Sequence, residues 1–203
     1  MVKHSVEHRE RGGQQRLDAY LNELATALGH ADREDPFRSY CLGLLLDGDR
    51  KSVEPMAARL DPAHVQAKHQ SLHHFVAQAA WSDTALLEAV HRHVVPALER
   101  QGPITAWIVD DTGIPKKGRH SVGVARQYCG QQGKQDNCQV AVTLSLANDH
   151  ASLPVAWRLY LPEAWAGDPE RRATAGIPPD ITFQTKPQIA LEQIGAACAA
   201  GLP

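Results

Sequence analysis

The sequence lacks a long apolar run. Its longest uninterrupted run of apolar residues and glycine covers only residues 194–202, whereas a membrane-spanning helix needs roughly 20 such residues. The first sixteen residues, MVKHSVEHRERGGQQR, contain no apolar core of the kind that a secretory signal requires. We therefore expect a cytoplasmic chain with no membrane partner.

Cysteine and net charge are also scarce. The four cysteines form no CxxC pair and no compact cluster, which argues against a zinc ribbon and against a disulfide framework. The 21 basic and 23 acidic residues leave a formal charge of −2, so the chain lacks the overall basic field that often accompanies nucleic-acid binding. Any contact with DNA must come from a local patch.

The first half of the chain carries a helical pattern. The 203 residues suffice for at most two folding units. Residues 1–13 are polar without periodicity and predict a disordered tail. From Gln14 onward the apolar residues recur at three- and four-residue intervals, as in Leu17, Leu21, Leu24 and Leu28. Similar patterns continue, so the sequence predicts a helical N-terminal region over residues 14–101.

The periodicity changes at Pro103. Residues 104–109, ITAWIV, are rich in β-branched and aromatic side chains and predict a strand covered on both faces. Further strands are predicted over residues 122–128, 139–147 and 154–161, and a helix over residues 186–200. Residues 162–179 hold proline, glycine and charges, and predict a loop or an insertion with little regular structure. The order of elements indicates an α+β fold.

Two adjacent carboxylates, Asp110 and Asp111, follow the first predicted strand. Neighbouring side chains on a strand point to opposite faces, so only one of the two can face a given site. A divalent cation is one reason to place a carboxylate there, because Mg²⁺ prefers oxygen ligands. The alternative is that Asp-Asp-Thr-Gly begins a turn, since these residue types favour turns.

A basic segment follows the two carboxylates. Residues 112–135 contain no Asp or Glu, and their cations are Lys116, Lys117, Arg119, Arg126 and Lys134. Five cations beside an acidic strand would attract a phosphate backbone. The alternative is a solvated hairpin edge protected by lysines.

Other residues with chemical potential favour structural roles. His69 and His73 are spaced to share a metal, but no acidic residue lies between them, so we expect surface or half-buried histidines. Cys129 and Cys138 are expected to be buried thiols. The side chains of Trp157 and Trp165 could stack on bases. For Trp157, the alternation of side chains along its predicted strand favours packing in the core instead.

The segment IVDDTGIPKKGRHSVGVARQYCG, followed by LPVAWRLYLPEAW, resembles the DDE-type transposases of bacterial insertion sequences, specifically the 701 group. The resemblance covers residues 37–203. It implies that residues 102–203 form part of an RNase H-like mixed sheet whose carboxylates bind two Mg²⁺ ions in the intact protein. It also implies that Asp110 is the first catalytic aspartate and metal ligand, with Asp111 as an accessory residue in the variable second place.

The resemblance implies a second aspartate and a final glutamate beyond residue 203. We therefore expect a transposase by descent that cleaves and joins DNA only in its intact form, with this fragment inactive alone. The expected partners are the ends of the insertion sequence, target DNA and other copies of the chain. The alternative is a non-catalytic module that binds DNA or full-length transposase.

Overall fold

The computed structural model describes residues 2–203, with side chains from Gly12 onward. The chain divides into two compact units, Met1–His93 and Val94–Pro203. The observed division falls within helix α5 (Asp83–Glu99), whereas the boundary predicted at residues 101–102 lies after that helix. The division falls earlier because Val95 and Leu98 pack into the core of the second unit.

The first unit is helical. Its elements are α1 (Val2–Ala25), α2 (Glu34–Leu45), α3 (Val53–Leu60), α4 (Val65–Ala77), the start of α5 and two 3-10 turns, Thr26–Leu28 and Ala31–Arg33. Leu21, Leu24 and Leu28 are buried against Phe37 and Phe75, as their spacing predicts. The backbone of residues 2–13 belongs to α1, and the tail predicted there falls mostly on residues whose side chains lie outside the described part. None of the described helices is long and apolar enough to cross a membrane.

The second unit contains a four-stranded sheet made of β1 (Ala106–Pro115), β2 (Ala125–Cys129), β3 (Lys134–Ala147) and β4 (Ser152–Leu159). Strand β3 is central and pairs antiparallel with each of the other three. The α+β class is confirmed. The pairings described here are all antiparallel, whereas the sheet implied by the resemblance is mixed, because parallel pairs need a crossover connection and these strands have none.

One face of the sheet is covered by helix α8 (Lys186–Ala199). Alternate side chains of β3 are buried, among them Val142. Ile189 of α8 packs against Val142, and the Gln193 amide donates a hydrogen bond of 3.0 Å to the Val142 carbonyl. Thr185 begins the helix through a reciprocal capping box with Gln188. These contacts fix the start of α8 beside the middle of the sheet.

The segment predicted as an irregular loop contains two short helices, α6 (Glu163–Ala166) and α7 (Pro169–Thr174). The prediction was wrong because proline and charged residues occur both in loops and at the starts of helices, and here they begin a helix. Asp168 accepts a hydrogen bond of 2.9 Å from the Arg171 amide, and Pro169 occupies the first turn. Trp165 is 1% exposed, so the segment is anchored in the core.

Two further predictions about burial were wrong. Ile108 and Val109 are each 45% exposed, although β1 was expected to be covered on both faces. Trp157 on β4 is 55% exposed rather than buried. Both strands pair only with β3 among the described strands, so each presents an open edge. The burial of Cys129 and Cys138 is confirmed.

Candidate active site and nucleic-acid surface

Asp110 and Asp111 lie in the interior of β1, which continues to Pro115. Asp110 is opposite Thr143 of β3, and Asp111 is opposite Val142. The alternative in which Asp-Asp-Thr-Gly begins a turn is therefore wrong. Its failure has a simple cause: turn-forming residue types are compatible with a strand when a long partner such as β3 satisfies their backbone groups.

The two carboxylates occupy opposite faces of β1. Asp111 shares the face of Val142, which α8 covers, whereas Asp110 is exposed on the other face. The Asp110 carboxylate accepts a hydrogen bond of 2.8 Å from the Asp111 backbone amide. It has no ion-pair partner among residues 12–203. Its charge is therefore available to an external cation.

Asp111 is paired with a cation of its own chain. The Lys186 ammonium, at the first position of α8, lies 2.6 Å from Asp111 Oδ2, with the two side chains 33% and 39% exposed. It also lies 5.6 Å from the centre of the Tyr160 ring. The pair borders a surface depression of about 650 Å³ that Pro187 and Leu191 help to line. Sequence analysis missed Lys186 because 75 positions separate it from Asp111.

Gly113 allows β2 to approach β1 just beyond the carboxylates. A Cβ atom at Gly113 would lie 2.9 Å from both Cα and Sγ of Cys129. Real Cβ atoms do not approach backbone this closely, so any larger residue would push β2 away. The glycine of the Asp-Asp-Thr-Gly motif thus has a packing role here, in holding the end of β2 over β1.

A basic loop, residues 116–121, follows β1. The Asn137 side-chain amide donates hydrogen bonds of 2.7 Å to the Lys116 carbonyl and 2.8 Å to the Gly118 carbonyl. The Lys116 amide in turn donates to the Asn137 carbonyl at 2.9 Å. One side chain of β3 therefore fixes the first half of the basic loop.

Helices α6 and α7 hold the other half of the basic loop. The Arg171 guanidinium lies 3.5 Å from the centre of the Trp165 ring and donates a hydrogen bond of 3.0 Å to the Arg119 carbonyl. The Trp165 indole N–H donates at 2.8 Å to the Val124 carbonyl. Trp165 was a candidate for stacking bases, but its ring is buried and serves as the platform for Arg171.

The five cations predicted to bind DNA fall into two groups. Lys116, Lys117 and Arg119 lie in the basic loop and make no ion pair within the described side chains. Lys134, by contrast, lies 3.3 Å from Asp136. The pKa of Asp136 is lowered, chiefly by the hydrogen bond from the Asn137 amide and then by Lys134, with a smaller contribution from Arg126. The basic loop is therefore the group with uncompensated charge.

The described residues do not assemble a metal site by themselves. Between Gly12 and Pro203, no three His, Cys, Asp or Glu side chains converge on one point. His69 and His73 are half-buried and exposed, respectively, as predicted. The chemistry of Asp110 suits Mg²⁺, because a carboxylate is a hard oxygen ligand. Asp110 therefore fits one position of a ligand set, and the rest of that set is not brought together here.

Comparison with known proteins decides the family. The sequence model of the DDE superfamily endonucleases matches residues 23–203. The chain belongs to this family. It is also 31% identical over 174 residues to the probable transposase for insertion sequence element IS701 of Microchaete diplosiphon. The resemblance to 701-group transposases is thus confirmed.

The chain covers part of its relative. The alignment takes in 86% of this chain but 41% of the Microchaete protein. No solved structure matches the chain. The comparisons show membership of the DDE superfamily, and the activity of the whole relative comes to this chain only as a proposal.

Proposed function

We propose that this chain acts as the front part of an insertion-sequence transposase that cleaves and joins DNA. The observation that carries the proposal is the pair of carboxylates inside β1, on an open sheet edge and next to the basic loop. In such an enzyme the strand supplies a metal ligand, and the loop supplies contacts to phosphate. These are the two needs of phosphoryl transfer, which depends on positioning and charge stabilisation.

Asp110 is the proposed metal ligand. Its carboxylate is exposed and free of any cation in the described part of the chain, whereas Asp111 is neutralised by Lys186. Bound Mg²⁺ would activate a water or a 3′-hydroxyl and stabilise charge on the phosphate. The role of the chain is to hold the Asp110 oxygens in place: the Asp111 amide fixes one of them, and the β1–β3 pairing fixes the backbone.

The first test concerns the isolated chain. A clamp on both the attacking and the leaving oxygen needs two metal ions, and one carboxylate cannot hold both. Purified chain incubated with labelled element-end DNA and Mg²⁺ or Mn²⁺ should therefore give no nicked product. Metal-dependent nicking that disappears in an Asp110→Ala variant would contradict fragment inactivity, whereas binding without nicking is also what the non-catalytic alternative expects.

The second test concerns the basic loop. Replacing Lys116, Lys117 and Arg119 by alanine should weaken binding to specific and random duplexes alike, because phosphates carry no sequence information. The slope of log K against log salt should fall by roughly one unit for each lost contact. Fluorescence anisotropy across a salt series measures both effects.

A control variant separates local from global charge. Alanine at Lys51, Arg92 and Arg100 removes the same number of exposed cations from outside the basic loop, and this variant should keep the original slope. If both triple variants lost affinity equally, the basic loop would be an ordinary solvated edge.

Self-association stays a prediction, supported by the exposed Ile108 and Val109 on the open edge of β1.

A further inference from the structure

The ion pair between Lys186 and Asp111 brings a third charged group to the acidic part of β1. Thr185 and Gln188 fix the backbone at Lys186 through the capping box, and Pro187 restricts the next residue. The Lys186 ammonium lies against Asp111 and 5.6 Å from the centre of the Tyr160 ring. The ammonium is therefore held at a defined place.

The charges around the Lys186 ammonium do not balance. Asp110 and Asp111 together carry two negative charges, and Lys186 compensates one of them. An ion pair this exposed contributes at most about 1 kcal/mol to stability. Stability alone therefore does not explain why a lysine follows the N-cap residue Thr185 at this position. An ammonium has three donors, and Asp111 accepts only one bond from it. Lys186 lines the open depression beside β1, where its remaining donors can meet an outside acceptor.

We propose that Lys186 is a phosphate-binding residue, whose ammonium contacts a non-bridging phosphodiester oxygen of DNA lying along the open edge of β1. Asp111 positions the ammonium and competes with the phosphate for it. The inference rests on the proposed function, since it assumes that DNA reaches this edge. It adds to the basic loop a contact at Asp111 itself.

The test uses the full chain and a fluorescein-labelled duplex of random sequence. Lys186→Met keeps an unbranched side chain and removes the charge. It should weaken binding about two- to fivefold, the worth of one exposed ion pair, and lower the salt slope by roughly one unit. Lys186→Arg should retain most of the affinity, because guanidinium also binds phosphate.

A double-mutant cycle tests the competition. Asp111→Asn should strengthen binding by freeing the ammonium, and part of that gain should vanish when Lys186→Met is added. Asp110→Asn is the matched control: it removes the same charge one residue away, and its gain should be the same with and without Lys186. Equal coupling in both cycles would show a general charge effect and would overturn the proposal.

Different results would contradict the proposed DNA binding and the role of Lys186. If the wild-type chain does not bind the duplex at low salt, the DNA-binding part of the proposed function fails. If the wild type binds and Lys186→Met leaves affinity and salt slope unchanged, only the role of Lys186 fails. The melting temperatures of Lys186→Met and Lys186→Arg should stay close to that of the wild type. If Lys186→Met alone were unstable, comparing Asp111→Asn with Lys186→Arg would still test the role of Lys186.

Discussion

Replacing Trp165 by alanine is expected to lower the free energy of unfolding of the second unit by about 3–5 kcal/mol. Trp165 is the largest of the fully buried side chains and packs with Val124 and Leu161. Its loss leaves a cavity and removes the donor from the Val124 carbonyl just before β2. Arg171 loses its ring platform as well, so the second half of the basic loop loses its support.

Urea unfolding followed by circular dichroism measures this effect through the midpoint and slope. Trp157→Ala is the matched control, because the same truncation at a side chain that is 55% exposed should cost less than about 1 kcal/mol. Equal losses in the two variants would contradict the anchoring role of Trp165. The basic loop should also become accessible to trypsin in the Trp165 variant before the strands do.

The two tryptophans show what alternation does and does not predict. Alternation along β4 correctly places Trp157 on one face of a strand, but it does not say whether another element covers that face. Trp157 is exposed because α8 covers the other face of the sheet. Trp165 is buried because two short helices fold back over Val124, a contact across 41 positions. Burial at both sites depends on long-range packing that no local pattern contains.

Local patterns sufficed in the first unit. The spacing of Leu21, Leu24 and Leu28 predicts one buried face, and these residues form its core with Phe37. Helical burial follows a period that the sequence displays directly. The capping signals at Asp168 and Pro169 were equally local, but proline and charged neighbours also occur in loops, and the shortness of α7 left no apolar periodicity to choose between the two.

The site was half predictable for the same reason. The strand and its two carboxylates are adjacent in sequence, and opposite faces follow from strand geometry. Lys186 and Cys129 reach the same strand from distant positions, through the capped start of α8 and the approach of β2 over Gly113. The motif showed that a glycine was present, and only the fold shows that Cys129 occupies the space its side chain would need.

Asp110→Asn is expected to reduce strand cleavage by at least about 100-fold in a full-length transposase that carries this segment. Asparagine keeps the size of the side chain and can still accept the Asp111 amide bond, but it removes the negative charge that a divalent cation needs. Even groups outside a ligand shell are worth about 10- to 100-fold at metal sites, so a ligand should be worth more. Asp111→Asn should leave much of the activity, because its charge is already compensated by Lys186.

A plasmid excision assay measures the ranking of the two variants, and it should be run beside a measurement of Mn²⁺ affinity that does not depend on turnover. Asp110→Asn should lower both excision and Mn²⁺ affinity, because it neutralises the exposed, unpaired carboxylate. Asp111→Asn should change little of either. Circular dichroism should show both variants folded, since neither carboxylate is buried. The reverse ranking would move the metal to the α8 face of β1. Lys186 would then have to leave Asp111 before the cation could bind, and Lys186→Met should in that case raise Mn²⁺ affinity.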